Sequence, residues 1–215
     1  MLMMHPIGRR ELWQAQSALL VAIILQFSIN THLTVGSKYL ITGLELLLVF
    51  GIGITAPRRH STTEKLHRTI SIILIALISL ANAGALVLVA DALLNGTDVP
   101  GHSLLAAAFA IFITNIIVFS LWYWELDSPG LTGLKKHEAE PKFDFPQMES
   151  KIKEAQSWEP TFFDYLYVST TNASAFSPTD TLPLTHAAKA LMSAQSLISL
   201  LTVILVTARA VNILG

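Results

Sequence analysis

Cysteine is absent from the 215 residues. That rules out disulfides and thiolate metal ligands and leaves the redox compartment unreadable. Charge is scarce: 13% of residues are Asp, Glu, Lys or Arg, and a net charge of −1 gives no electrostatic footprint for nucleic acid. No internal repeat is visible, so inverted-repeat transporters lose their signature. No apolar run carries spaced arginines, as a voltage sensor would. A phosphate loop, a nucleophile beside a histidine and a cofactor motif are all missing, so nothing points to an enzyme or a cofactor. Glu64 and His67 have an i, i+3 metal-helix spacing, but a single pair in the charged run RRHSTTEKLHR reads as surface chemistry.

What is abundant is apolar: 52% of residues are hydrophobic and the mean hydropathy is +0.55. This predicts an all-α, polytopic membrane protein with the lipid bilayer as its first partner. About five transmembrane helices are expected, near 15–29, 38–56, 70–89, 104–119 and 186–214, plus a re-entrant helix and loop. The chain divides into a four-helix membrane region (1–126), a polar linker or cap (127–160) and a last module (161–215). Glu45 sits inside the second span, where an ionisable group is a functional candidate, for example in a proton-coupled carrier; the alternative is a carboxylate near the interface paired with Lys38. Asn82 in the third span reads as an interhelical hydrogen bond. Trp122, Tyr123 and Trp124 form an aromatic belt at the end of the fourth span. In the linker, residues 150–156 read as a short surface helix with Met148, Ile152 and Ala155 turned inward.

The most informative stretch is DYLYVSTTNASAFSPTDTLPLTHAAK, Asp164 to Lys189. Thr161 and Asp164 have capping-box spacing, and a short helix from Thr161 to about Ser174 is stopped by Phe176-Ser177-Pro178. A hydroxyl-rich dip follows, and then a long apolar helix. Irregular backbone at membrane depth persists only when buried in protein or lining water. On the last helix Gln195, Ser199, Thr202, Val206 and Arg209 share one stripe. The stripe fits a water-lined inner helix and equally fits polar helix packing.

These residues resemble the pore module of the potassium-channel superfamily. Asp164 and Tyr165-Leu166-Tyr167 match its pore-helix start, and Asp180 matches its filter aspartate. Pro183, Thr185 and Lys189 match the opening of its inner helix. The resemblance implies a homotetramer with an ion pathway built from Ser174, Ala175, Phe176, Ser177, Pro178, Thr179 and Asp180, and with Gln195, Ser199, Thr202 and Val206 lining the inner helix. The centre departs from the family pattern, since Thr-Val-Gly-Tyr-Gly-Asp is replaced by Ala175-Phe176-Ser177-Pro178-Thr179-Asp180. Without glycines that accept positive φ a carbonyl ladder is disfavoured. The expectation is therefore a pathway for monovalent cations that is not strictly potassium-selective, with Phe176 packed behind the loop. The alternative is a non-conducting scaffold that keeps the fold. The whole chain also resembles a group of bacterial inner-membrane proteins with a WYWELD-like helix end and an FDFPQ-like segment, which implies a location and not an activity.

Sidedness is marked by charge. With five spans, only Lys38 and Arg209 of the fourteen basic residues fall on the side away from the N-terminus, linker and loop mouth. The positive-inside rule places that mouth in the cytoplasm, the orientation of ionotropic glutamate receptor pores, whereas potassium channels place it outside. Because the chain has no native cysteine, Lys136→Cys and His60→Cys can be labelled without background. The charge rule predicts that both react only with a reagent admitted to the cytoplasmic face.

Overall fold

The computed structural model describes residues 4–6, 9–29, 31–34, 64–96, 99–127, 134–136, 141–149, 158–177 and 180–214, together with Tyr39, Thr42, Gly43, Glu45, Leu46 and Val49. Most of the chain is helical. The five continuous helices among the described residues are α1 (Arg9–Ser28), α2 (Glu64–Asn95), α3 (Gly101–Asp127), α4 (Phe162–Ala175) and α5 (His186–Leu214). Among the described residues three stretches are long and apolar enough to cross a membrane: Arg68–Asn95, Gly101–Asp127 and His186–Arg209. α1 contains the expected first span but is not among the three; Glu11, Gln14, Gln16 and Gln26 interrupt its apolar run. Most of the expected second span, and the surface helix at 150–156, lie outside the described residues. The six positions between 39 and 49 are helical.

The faces that lipid would cover are plain on α2. Ile73, Leu80, Val87 and Leu94 are all exposed and recur every seven residues, which sets them on one side of the helix. An apolar stripe of this length is foreign to a water-facing helix. α3 is the centre of the molecule, touching α1, α2, α4 and α5. Its most apolar window is 72% buried, against 22% for that of α5, so α5 leans on the bundle by one narrow seam. Two apolar clusters fill the interior. The first includes Leu19, Ile23, Ile78, Val49 and Ile117, and the second Ile29, Ala85, Val89, Ala107 and Ile111. The Arg209 guanidinium of α5 lies over Gly101 at the start of α3.

Two short antiparallel ladders were not expected from the sequence. β1 (Met4–Pro6) pairs with β2 (Leu134–Lys136), joining the N-terminal segment to the linker. β3 (Phe143–Asp144) pairs with β4 (Leu182–Pro183), which lies just before α5. β4 is held by β3 itself, with the Leu184 N–H donating to the Lys142 carbonyl at 2.9 Å, and Asp127, at the end of α3, ties the start of β3 to α4. Its Oδ1 accepts the Lys142 N–H and its Oδ2 accepts the Tyr165 hydroxyl of α4, each at 2.5 Å. The linker segment FDF then alternates inward and outward, and Phe143 and Phe145 are buried. Both rings meet Tyr165, at 6.1 and 5.5 Å, and Phe145 also meets Trp158 at 5.5 Å. This part of the polar linker is thus an aromatic plate. Met148, expected to turn inward, is 40% exposed, because the 3₁₀ turn Pro146–Glu149 carries the chain outward again.

α4 starts as its sequence predicts. Asp164 Oδ2 takes both the Thr161 N–H and the Thr161 hydroxyl at 2.7 Å, satisfying a donor that the helix start leaves orphaned. The helix ends at Phe176 in the left-handed region, φ 53° and ψ 30°. From Asp127 the chain therefore goes out along α4 and returns at β4 to the same plate. Tyr165→Phe removes one hydrogen bond to a carboxylate and should lower unfolding stability in detergent by about 1–3 kcal/mol. The secondary structure content should not change.

Candidate functional site

The polar residues of the last module fall into two groups. One is buried between α3, α4 and α5 and centred on Gln195. The Gln195 Nε2 donates to the Ser169 carbonyl at 2.9 Å and to the Ser169 hydroxyl at 2.7 Å. Ser169 Oγ passes its own proton to the Ile116 carbonyl of α3 at 2.6 Å. On the other side Gln195 Oε1 accepts from the Tyr123 hydroxyl at 2.5 Å and from Asn172 Nδ2 at 2.9 Å. Asn172 Nδ2 also reaches the Met192 carbonyl at 3.0 Å, and its Oδ1 accepts from Ser196 at 3.1 Å. One turn further along α5, Asn115 Nδ2 of α3 donates to Ser199 Oγ at 2.9 Å. Thr202 closes the row by donating to the Ile198 carbonyl of its own helix at 2.7 Å.

Gln195, Ser199 and Thr202 are therefore buried within one chain, with their hydrogen-bonding capacity used internally. Of the two readings of the stripe, helix packing is the one these contacts describe. Val206 and Arg209, further along it, are half-buried. In this seam Gln195, Ser169 and Asn172 have donors and acceptors paired inside the chain, which makes the packing of the three helices specific and rigid. Ser169, Asn172, Asn115 and Tyr123 were not singled out from the sequence as partners. The available signal was Ser169 and Asn172 standing three apart on one face of α4, and Asn115 within an apolar span.

The second group is the tip between α4 and β4. Ser174, Ala175, Phe176, Ser177 and Asp180 are exposed; Pro178 and Thr179 lie outside the described residues. Ser174 Oγ is turned back onto the Thr170 carbonyl at 2.7 Å. Phe176, expected to pack behind the loop, is 45% exposed, because its left-handed backbone swings the ring away from the seam. Beside the tip an open groove of about 500 Å³ is lined by Asn172, Phe176, Pro183, Lys189, Met192 and Ser193, among others. The chemistry on offer in the groove is serine hydroxyl and one amide next to one lysine.

Compared with family models, with curated proteins and with solved structures, the chain finds no match.

If the seam holds the helices together, Gln195→Leu strands Tyr123, Asn172 and Ser169 at once. Weighing single membrane hydrogen bonds of about 0.6 kcal/mol against the larger penalty for orphaned partners, the loss should be about 2–3 kcal/mol. Adding Asn172→Leu should cost less than its effect in the parent chain, since the two amides share one network. Denaturant titration in micelles measures both. Unchanged stability in Gln195→Leu would return the stripe to a water-lined role.

Proposed function

We propose that this chain is a pore-loop membrane protein that assembles as a homotetramer around a pathway for monovalent cations, in a bacterial inner membrane. The observation that carries the reading is that α4 departs from, and β4 returns to, the one aromatic plate held by Asp127. Between these two anchors the hydroxyl-rich tip is left exposed by its own chain. One such loop cannot enclose a path, so several copies must meet around an axis, and four is the number the sequence resemblance implies.

In this reading α3 is the outer helix, α4 the pore helix and α5 the inner helix. Ser177, Thr179 and Asp180 meet a partly hydrated cation, and a ring of Asp180 carboxylates attracts cations over anions. The negative end of the α4 dipole adds to the same preference. Strict potassium selectivity is not part of the proposal, since no glycines are present to align a carbonyl ladder. The work of Gln195, Ser199 and Thr202 is to hold α5 against α3 and α4, not to contact the ion.

One observation favours a second reading, a non-conducting scaffold: the polar face of α5 is satisfied inside the chain instead of facing a cavity. Subunit counting in detergent and cation flux in proteoliposomes separate the two. A tetramer whose flux falls severalfold in Asp180→Asn supports the pathway. A tetramer that is silent in both forms supports the scaffold, and a monomer refutes the assembly itself.

A further inference from the structure

The other half of the molecule carries buried polar atoms of the opposite kind. Glu45 is completely buried, and among the described residues neither of its carboxylate oxygens has a hydrogen-bond partner. Gln26 Oε1 on α1, Asn82 Oδ1 on α2 and Thr114 Oγ1 on α3 are likewise buried and unpartnered among the described residues. Each of these atoms is an oxygen, and each comes from a different helical segment. The seam around Gln195 shows that this chain matches its buried amides where it has no other use for them, so four unmatched groups call for a ligand.

Register brings these groups to one depth. Gln26 lies between Ile23 of the first apolar cluster and Ile29 of the second. Asn82 lies between Ile78 and Ala85, and Thr114 between Ile117 and Ile111, of the same two clusters. The Asn82 Nδ2 donates to the Ile111 carbonyl at 3.3 Å, one helical turn from Thr114. The Tyr39 ring meets Phe27 at 6.0 Å, while Leu46 packs against the first cluster and Val49 belongs to it. Glu45 then falls between the level of Phe27 and that of the first cluster. The unmatched oxygens occupy the slab where the two apolar clusters meet.

We propose that Glu45, Gln26, Asn82 and Thr114 form a binding site for one largely dehydrated monovalent cation of sodium's kind, inside a single chain. Hard cations take several oxygen ligands, and carboxylate, amide carbonyl and hydroxyl are the types present. A single carboxylate balances one positive charge, so the filled site is neutral in a medium that penalises net charge, whereas a divalent ion leaves an excess. A proton on Glu45 and the Thr114 hydroxyl together supply two donors for the other Glu45 oxygen, Gln26 Oε1 and Asn82 Oδ1, so protonation still leaves an oxygen unmatched. The site is independent of the α4–β4 tip and of the reading given to it.

Equilibrium binding of radioactive sodium to the purified full chain in detergent tests the proposal, together with its unfolding temperature in sodium chloride and in choline chloride at matched ionic strength and pH. Saturable binding of one ion per chain is expected, with an upward shift of the unfolding temperature in sodium and none in choline. Glu45→Gln should abolish both effects. Thr114→Val, which keeps the shape and removes one ligand, should weaken binding about tenfold and serves if the Glu45 variant does not fold. The proposal is overturned by absence of saturable binding to the parent chain, by parent-like binding in Glu45→Gln or in Thr114→Val, by an equal shift in choline, or by stability that follows pH and ignores sodium.

Discussion

A primary amide surrounded by apolar helices has four hydrogen-bonding positions to satisfy, and the last third of this chain is arranged around doing that for Gln195. Two of its donors go to Ser169 and two acceptor positions go to Tyr123 and Asn172. These partners sit on two other helices, so meeting the amide's needs fixes the relative position of α3, α4 and α5. Apolar contact alone would not do so in lipid, where a leucine facing a neighbour gains little over a leucine facing an acyl chain. The exposed Leu197, Leu201 and Ile204 on the rest of α5 make the contrast within one helix.

Asp127 provides the second constraint, and it works at the membrane edge. It gathers the linker backbone and the α4 tyrosine at the end of α3, and the aromatic plate of Phe143, Phe145, Tyr165 and Trp158 closes over that junction. Arg68 and Glu125 add an ion pair at 3.3 Å at the same end, linking α2 to α3. With α4 clamped at its start by the plate and along its length by the seam, little of the chain's own structure is left to support the tip. Ser174 to Ser177 and Asp180 are consequently exposed, and it is this tip that an assembly would have to cover.

The interior thus separates two uses of polarity. Around Gln195 donors and acceptors are matched, which rigidifies the packing and excludes ligands. Around Glu45 the unmatched atoms among the described residues are all oxygens, the Thr114 hydroxyl included, and oxygen is the ligand type that the proposed hard cation takes. The same residue types serve both ends, and the difference lies in whether donors face acceptors.

Much was legible in the amino-acid order because it depends on neighbours along the chain. Long apolar runs gave helices of spanning length, Thr161 and Asp164 gave the cap of α4, and Phe176-Ser177-Pro178 gave its stop. Each is a short-range effect of hydropathy, of a side chain reaching its own backbone, or of a restricted φ. Which way the stripe on α5 faces could not be read, since a period of 3.6 places Gln195, Ser199 and Thr202 on one side without saying what lies opposite. That was decided by Ser169, Asn172, Asn115 and Tyr123, which are 23 to 84 positions distant along the chain. The inward phenylalanines of the linker have the same kind of origin, since Asp127 accepts a backbone N–H 15 residues ahead and a hydroxyl 38 residues ahead, and the two ladders likewise join segments distant along the chain. The sequence by itself determined the start and stop of α4 and the stretches apolar and long enough to cross a membrane, because those are local free energies. Only the tertiary structure decided which polar groups are matched and which are left unmatched, because a hydrogen bond needs both partners in place.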